Sequence, residues 1–235
     1  MIAPLIAVVG LQREARLVTR PGIVAVASGG DALGLQARIG RLTERQRPRA
    51  IVSVGLGGAL SPGLDVGDWV VADRIVQGAQ SWWTDALLTG RLLAAMRPGF
   101  TGAIAGSDVM VVDAAAKAAL HTATGALAVD MESHVAAAFA TAHGIPFAAL
   151  RVISDGAGRA LPRAAQAGMK ADGGMDVLAV LKALARDPRQ LPALIRTGRE
   201  AEVAFRQLAL LNRHDLLGRL GVGDADLGEL ALDVV

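Results

Sequence analysis

Three stretches bring small or acidic residues to the end of an apolar run: Gly55-Leu56-Gly57-Gly58, Val129-Asp130-Met131-Glu132 and Arg151-Val152-Ile153-Ser154-Asp155. A glycine run after a strand lets backbone amides approach an anion or a sugar, because no side chain intervenes, although an ordinary tight turn uses the same residues. The dinucleotide-binding fingerprint fails, since Leu60 stands where its third glycine or alanine belongs. Asp155 follows the apolar run Phe147 to Ile153 and precedes Gly156, so its carboxyl falls at a strand mouth, a position that suits a general acid and equally a turn-forming aspartate. Glu132 lies just inside a helix start, where the helix dipole favours any carboxylate, and Asp130 before it reads as the N-cap.

The elements that must carry these residues alternate in type. Ile2 to Val9 and Gly22 to Ala27 read as buried strands ending at Gly10 and at Ser28-Gly29-Gly30. Asp31 to Arg45 places Leu35, Ile39 and Leu42 at helical spacing, with Asp31 as cap and Pro48 as stop. Strand character follows at Ala50 to Val54, breaking into the glycine run, then at Asp68 to Ile75 and Gly102 to Ala105. An alanine-rich helix from Asp113 to Leu120 leads to a short strand at Ala126 to Val129, a helix from Met131 to His143, and a last strand at Phe147 to Ile153. A loop then runs to about Gly174 before helical spacing returns at Met175, Leu178, Leu181 and Leu184, and again around Val203, Ala204 and Leu208. Alternating strands and helices define an α/β fold, a three-layer sandwich on a central mixed sheet, with ligands beyond the carboxyl ends of the strands. One domain spans residues 1–212, and a tail from 213 to 235, where periodicity is lost, is expected to fray.

Composition removes several function classes. With no cysteine there are no disulfides, thiolate metal sites or thiol nucleophiles, and the four histidines (121, 134, 143 and 214) share no metal-ligand spacing, so no metal is assigned. The net charge of +2 is scattered, aromatics are 3% and tyrosine is absent, which argues against nucleic acid as a partner. The apolar start lacks a basic leading region and a small-residue cleavage site, and no apolar run reaches the length of a bilayer span, so a cytoplasmic location is expected without stable membrane insertion.

In combination, the glycine run, Gly67-Asp68 with Val70 to Asp73, Val129 to Ser133, and Gly144-Ile145-Pro146-Phe147 with Leu150 to Asp155 resemble the purine nucleoside phosphorylase and methylthioadenosine nucleosidase superfamily over roughly residues 5–156. The opening Gly10 to Arg16 and Ser28 to Asp31 are similar to a narrower branch, the hopanoid-associated phosphorylases. The resemblance implies release of adenine from a purine nucleoside, with adenosylhopane, a lipid-linked nucleoside, as substrate. It also implies a homo-oligomer. By the same resemblance Glu132 holds the ribose hydroxyls and steadies cationic charge on the sugar, and Met131 lines the sugar face. Asp155 protonates the base at N7, with Ser154 and Arg151 holding its carboxyl, while Met110 and Val111 pack on the base and Gly57 contributes to substrate binding. Nucleosidases place a water-positioning glutamate in the first loop. Here Ala15 takes the matching place and Glu14 precedes it, and Leu56 replaces a serine often found in the glycine run. The expected reaction is therefore phosphorolysis, with no cofactor, inorganic phosphate as co-substrate, and a cradle of Arg13 with the amides near Gly10, Gly29 and Gly57. The alternatives are hydrolysis of methylthioadenosine-like nucleosides on the same fold and a non-catalytic nucleoside-binding protein. Trp82 and Trp83 belong to a core, a subunit interface or a greasy entrance for the lipid.

Overall fold

In the computed structural model, residues 3–96, 98–166, 174, 176–213 and 215–220 are described. The chain runs β1 (Leu5–Val9), α1 (Gln12–Val18), β2 (Ile23–Ala27), α2 (Ala32–Arg45), β3 (Ala50–Ala59), β4 (Trp69–Gln77), β5 (Gln80–Trp83), α3 (Ala86–Ala95), β6 (Phe100–Gly106), α4 (Ala114–Thr124), β7 (Ala128–Asp130), α5 (Ser133–Ala142) and β8 (Phe147–Asp155). Helices follow: α6 (Arg163–Gln166), α7 (Val177–Arg186), α8 (Leu191–Leu208), α9 (Leu210–Arg213) and α10 (Leu216–Arg219). The sheet is mixed, as expected: β2, β1, β3 and β8 are parallel neighbours, whereas β7 on β3, β4 on β8 and β5 on β4 run antiparallel. Because β8 pairs with both β3 and β4, the circuit β3-β7-β6-β4-β8 closes on itself.

Side chains alternate across each strand, so a strand covered on both faces is apolar at every position. In β1, Leu5, Ala7 and Val9 join one core with Val52, Val54, Leu150, Phe205 and Leu208, while Ile6 and Val8 join the other with Leu35, Ile39, Ile51, Phe139 and Ile153. Elements not read from the sequence include α1, β5, which holds Trp82 and Trp83, α3 after it, and the short α6. Trp82 packs on the second core, Trp83 is largely exposed with Arg74 over its ring, and neither reaches the cavity described below.

The glycine run is not a loop. β3 continues through Gly55 to Ala59, since the tertiary environment there has no room for side chains. A Cβ on Gly55 would stand 2.8 Å from Glu14 Oε1, and one on Gly57 would stand 3.2 Å from the Arg151 side chain. The packed region also extends beyond residue 212. Leu217 and Leu220 are buried in the first core, and Arg49 donates from Nε to the Leu220 carbonyl (2.8 Å) and from Nη2 to the Gly218 carbonyl (2.9 Å). Two spaced leucines plus a guanidinium clamp suffice to seat a single helical turn where periodicity over longer windows is absent. Met175 and residues 221–235 lie outside the described residues.

Candidate active site

The carboxyl ends of β3, β7 and β8 meet because Gly58 has a partner on each side: Val129 on β7 and Asp155 on β8. The register with β8 shifts here, Gly57 opposing Ile153 and Gly58 opposing Asp155, so Ser154 is the extra residue of a bulge that re-aims the strand end. A Cβ on Gly58 would sit 3.2 Å from Asp155 Oδ2 and 3.5 Å from Val129 Cγ1. Only glycine lets the two acidic strand ends approach so closely.

Around this junction lies a cavity of about 190 Å³, to which Gly10, Glu14, Gly57, Met110, Val111, Met131, Glu132, Ser154 and Asp155 all contribute. Glu132 and Asp155, 23 residues apart in sequence, thus face one space. A larger cleft of about 400 Å³ at the edge strand β2 is lined by Arg38, Arg41 and Arg45 and carries no acid. It lacks the residue types that would break a glycosidic bond.

Glu132 is buried at the entry to α5. The N-cap of that helix is Glu132 itself and not Asp130 as expected; Asp130 ends β7 two residues earlier, and its Oδ1 accepts from the amides of Glu132 (3.1 Å) and Ser133 (2.9 Å). Ser28 Oγ donates to Glu132 Oε1 at 2.7 Å, and a Cβ on Gly10 would press within 3.1 Å of the same oxygen. Burial, reinforced by the negative charge of Asp130, pushes the Glu132 carboxyl up to about 7, against the opposing influence of Arg151 and of the Ser28 hydroxyl. The folded protein therefore retains a proton that the unfolded chain releases between pH 4.5 and about 7. Stability present below that window is lost as pH rises through it, by up to about 3 kcal/mol. Denaturant titrations across the window should show this loss, and Glu132→Gln should flatten it; an unchanged slope in the variant would assign the proton elsewhere.

Arg151 does not hold Asp155, contrary to the expectation from resemblance. The bulge at Ser154 breaks the alternation that would put residues 151 and 155 on one face, and Arg151 Nη2 lies 2.7 Å from Asp130 Oδ2, 2.6 Å from Ser53 Oγ and 4.0 Å from Glu132 Oε2. Fully buried, it offsets the acids around Glu132. Ser154 does meet Asp155, with Oγ 2.9 Å from Oδ1. The other carboxyl oxygen is held by a residue that spacing did not reveal: Lys117 of α4, wholly buried, whose Nζ donates to Asp155 Oδ2.

The expected phosphate cradle is not assembled. Arg13 points away from the cavity, in a bidentate pair with Glu202 (2.8 Å for each bond) and stacked over Phe205. The Gly29 amide is spent on the Gly10 carbonyl (2.9 Å). The Gly10 amide donates to Glu14, whose carboxylate collects three N–H groups: Gly10 (2.7 Å) and Leu11 (2.8 Å) on Oε2, and Leu56 (2.8 Å) on Oε1. These are the donors an anion would have used, and a side-chain carboxylate already occupies them. Burial pushes the Glu14 carboxyl up, while the three amides and the charge of Arg151 pull it down. Thus the first loop does supply an acid to the cavity, at position 14. The signal for it was local: Glu14 is the third residue of α1 and reaches back to the amide of the cap residue Leu11, as in a capping box.

The sequence profile of the phosphorylase superfamily matches residues 32–186, and the chain belongs to that superfamily. Solved structures with the same fold include a mutant methylthioadenosine nucleosidase of Helicobacter pylori holding 5′-methylthioadenosine (16% identity, 91% of this chain and 100% of that one, TM-score 0.62). Others are the S-adenosylhomocysteine nucleosidase of Streptococcus pyogenes (19% identity, 89% and 98%, TM-score 0.60) and a futalosine hydrolase mutant of H. pylori (18% identity, 66% and 91%, TM-score 0.55). No curated protein sequence matches the chain. Among the described residues no helix is long and apolar enough to cross a membrane.

Proposed function

We propose that this protein hydrolyses the N-glycosidic bond of a purine nucleoside and releases adenine, with water as the nucleophile. The observation that carries this reading is Glu14, an acid fixed by three amides in the same cavity as Glu132 and Asp155. Four acids line the cavity (Glu14, Asp130, Glu132 and Asp155), and no arginine or lysine is among its described lining residues. Such a lining favours the cationic sugar that forms as the C1′–N9 bond stretches. A phosphate dianion would find no cationic side chain among the described lining residues to hold it.

In this scheme Glu132 binds the ribose hydroxyls, Met131 lies against the sugar, and Met110 and Val111 flank the base. Asp155 delivers a proton to N7 as the electron pair of the broken bond moves onto the purine, and Glu14 takes the proton of the attacking water. Adenosylhopane stays among the candidate substrates on the strength of the opening residues 10–16 and 28–31, beside methylthioadenosine and adenosine. Adenine release from these three by purified protein in phosphate-free buffer is the test, with turnover expected to be as fast as when phosphate is added. Cleavage that appears only with phosphate would reinstate phosphorolysis.

A further inference from the structure

Lys117 is the one charged residue of α4, within Ala114 to Leu120 otherwise all alanine and leucine, and it is wholly buried. The helix is aimed by Asp113, whose side chain caps it by accepting the Ala116 amide (2.7 Å), and by Gly125, which ends it in the left-handed conformation. Besides Asp155 Oδ2, Nζ donates to the carbonyls of Gly156 (3.0 Å) and Arg159 (3.1 Å). Three N–H groups with three oxygen acceptors is the full complement of an ammonium. A lysine serving only as structural glue would be an expensive choice, since an apolar side chain in a buried site commonly serves stability as well as or better than an ion pair.

We propose that Lys117 is a positioning residue for departure of the base, acting through Asp155; this rests on the hydrolytic reading above. Asp155 takes a proton from solvent before the bond breaks and passes it to N7 as the C1′–N9 pair moves onto the purine, while Lys117 keeps its three protons and steadies the carboxylate that forms. Glu14 gains the proton lost by water. After adenine leaves, solvent returns a proton to Asp155 and removes one from Glu14, so the cycle balances. The two carbonyls also fix the orientation of Nζ, so that Asp155, which lines the cavity, is held between Lys117 and Ser154.

The test is a double-mutant cycle on adenine release, using Lys117→Met, Asp155→Asn and the pair together, with Lys117→Arg as the conservative variant. Lys117→Met should lower kcat by about 100-fold or more with KM changed only a few-fold, and Lys117→Arg should recover part of the loss. The double variant should be no slower than Asp155→Asn alone, because the two act in one step. Losses that multiply, a loss confined to KM, or a Lys117→Met enzyme within about threefold of wild type would each overturn the proposal. If Lys117→Met leaves Asp155 so poorly compensated that it does not fold, the double variant has no orphaned carboxylate, and its comparison with Asp155→Asn decides alone. A wild-type protein that releases no adenine would reject the hydrolytic reading itself, a result separate from any pattern among the variants.

Discussion

Asp155→Asn is expected to reduce adenine release by about 10²- to 10⁴-fold, the range for loss of a positioned proton donor. The amide is close to isosteric: its single oxygen can accept from Lys117 while its NH₂ donates to a turned Ser154 hydroxyl, so the cavity keeps its shape, but it has no acidic proton to give to N7. The variant carries a second expected signature. Lys117 would keep the Gly156 and Arg159 carbonyls but lose its counter-charge, and breaking a buried ion pair from one side typically costs about 3–5 kcal/mol. Melting by circular dichroism should therefore stay cooperative at a lower temperature, and activity should be compared per folded molecule below that transition. Full activity in the folded variant would remove Asp155 from the chemistry; low activity with unaltered stability would mean that the Lys117 contact is energetically idle.

The parts of the site that could be read from the sequence share one property: their placement is decided locally. Glu132 and Asp155 follow strands whose apolar runs are unmistakable, so the end of each run locates the acid. Asp130 is legible as an acceptor for the amides that open α5, although the N-cap position itself falls to Glu132. β3 was harder at its glycines, because Gly55 to Gly58 has poor intrinsic strand preference and is held extended by pairing with β8 and β7. Arg151 in the middle of an apolar strand required a partner, and regular alternation would put it on the same face as Asp155; only the fold shows the bulge at Ser154 that breaks this alternation and the Asp130 and Ser53 groups that Arg151 meets instead. Lys117 was invisible for a related reason. Its partner lies 38 residues later, and a helix made mostly of alanine gives no amphipathic contrast to say which side is inward.

The closed circuit of strands is a tertiary property of the same kind, and it has a functional consequence. If β8 paired only with β3, its end would splay away from β7. Pairing with β4 as well, through Trp69 to Val71 opposite Val152 to Leu150, holds β8 between two neighbours, so the bulge at Ser154 becomes the point where it can deviate. Asp155 is thus aimed by a rigid strand end, not by a loop, which is what a proton donor that must meet N7 within hydrogen-bond distance requires.

Glu14→Gln is the second substitution expected to have a large effect, and its interpretation depends on the three amides. Both carboxylate oxygens accept N–H groups, so glutamine can present its oxygen either to Leu56 or to Gly10 and Leu11, and its NH₂ must then face donors on the other side. Leaving buried donors unmet costs about 1–3 kcal/mol, and the variant should melt earlier by a corresponding amount. Its hydrolytic rate should fall by about 10²- to 10⁴-fold through loss of the group that takes the proton of water. The decisive comparison is methanolysis against hydrolysis in buffer containing methanol. If Glu14 handles the nucleophile, both products should decline together while KM for the nucleoside stays within a few-fold of wild type. If it only props open the first loop, the loss should appear in KM. Raising phosphate separates the remaining case: with Gly10, Leu11 and Leu56 already donating to a side chain, added phosphate should not restore the variant. A rescue by phosphate would mean that the three amides are an anion site after all, freed by the substitution.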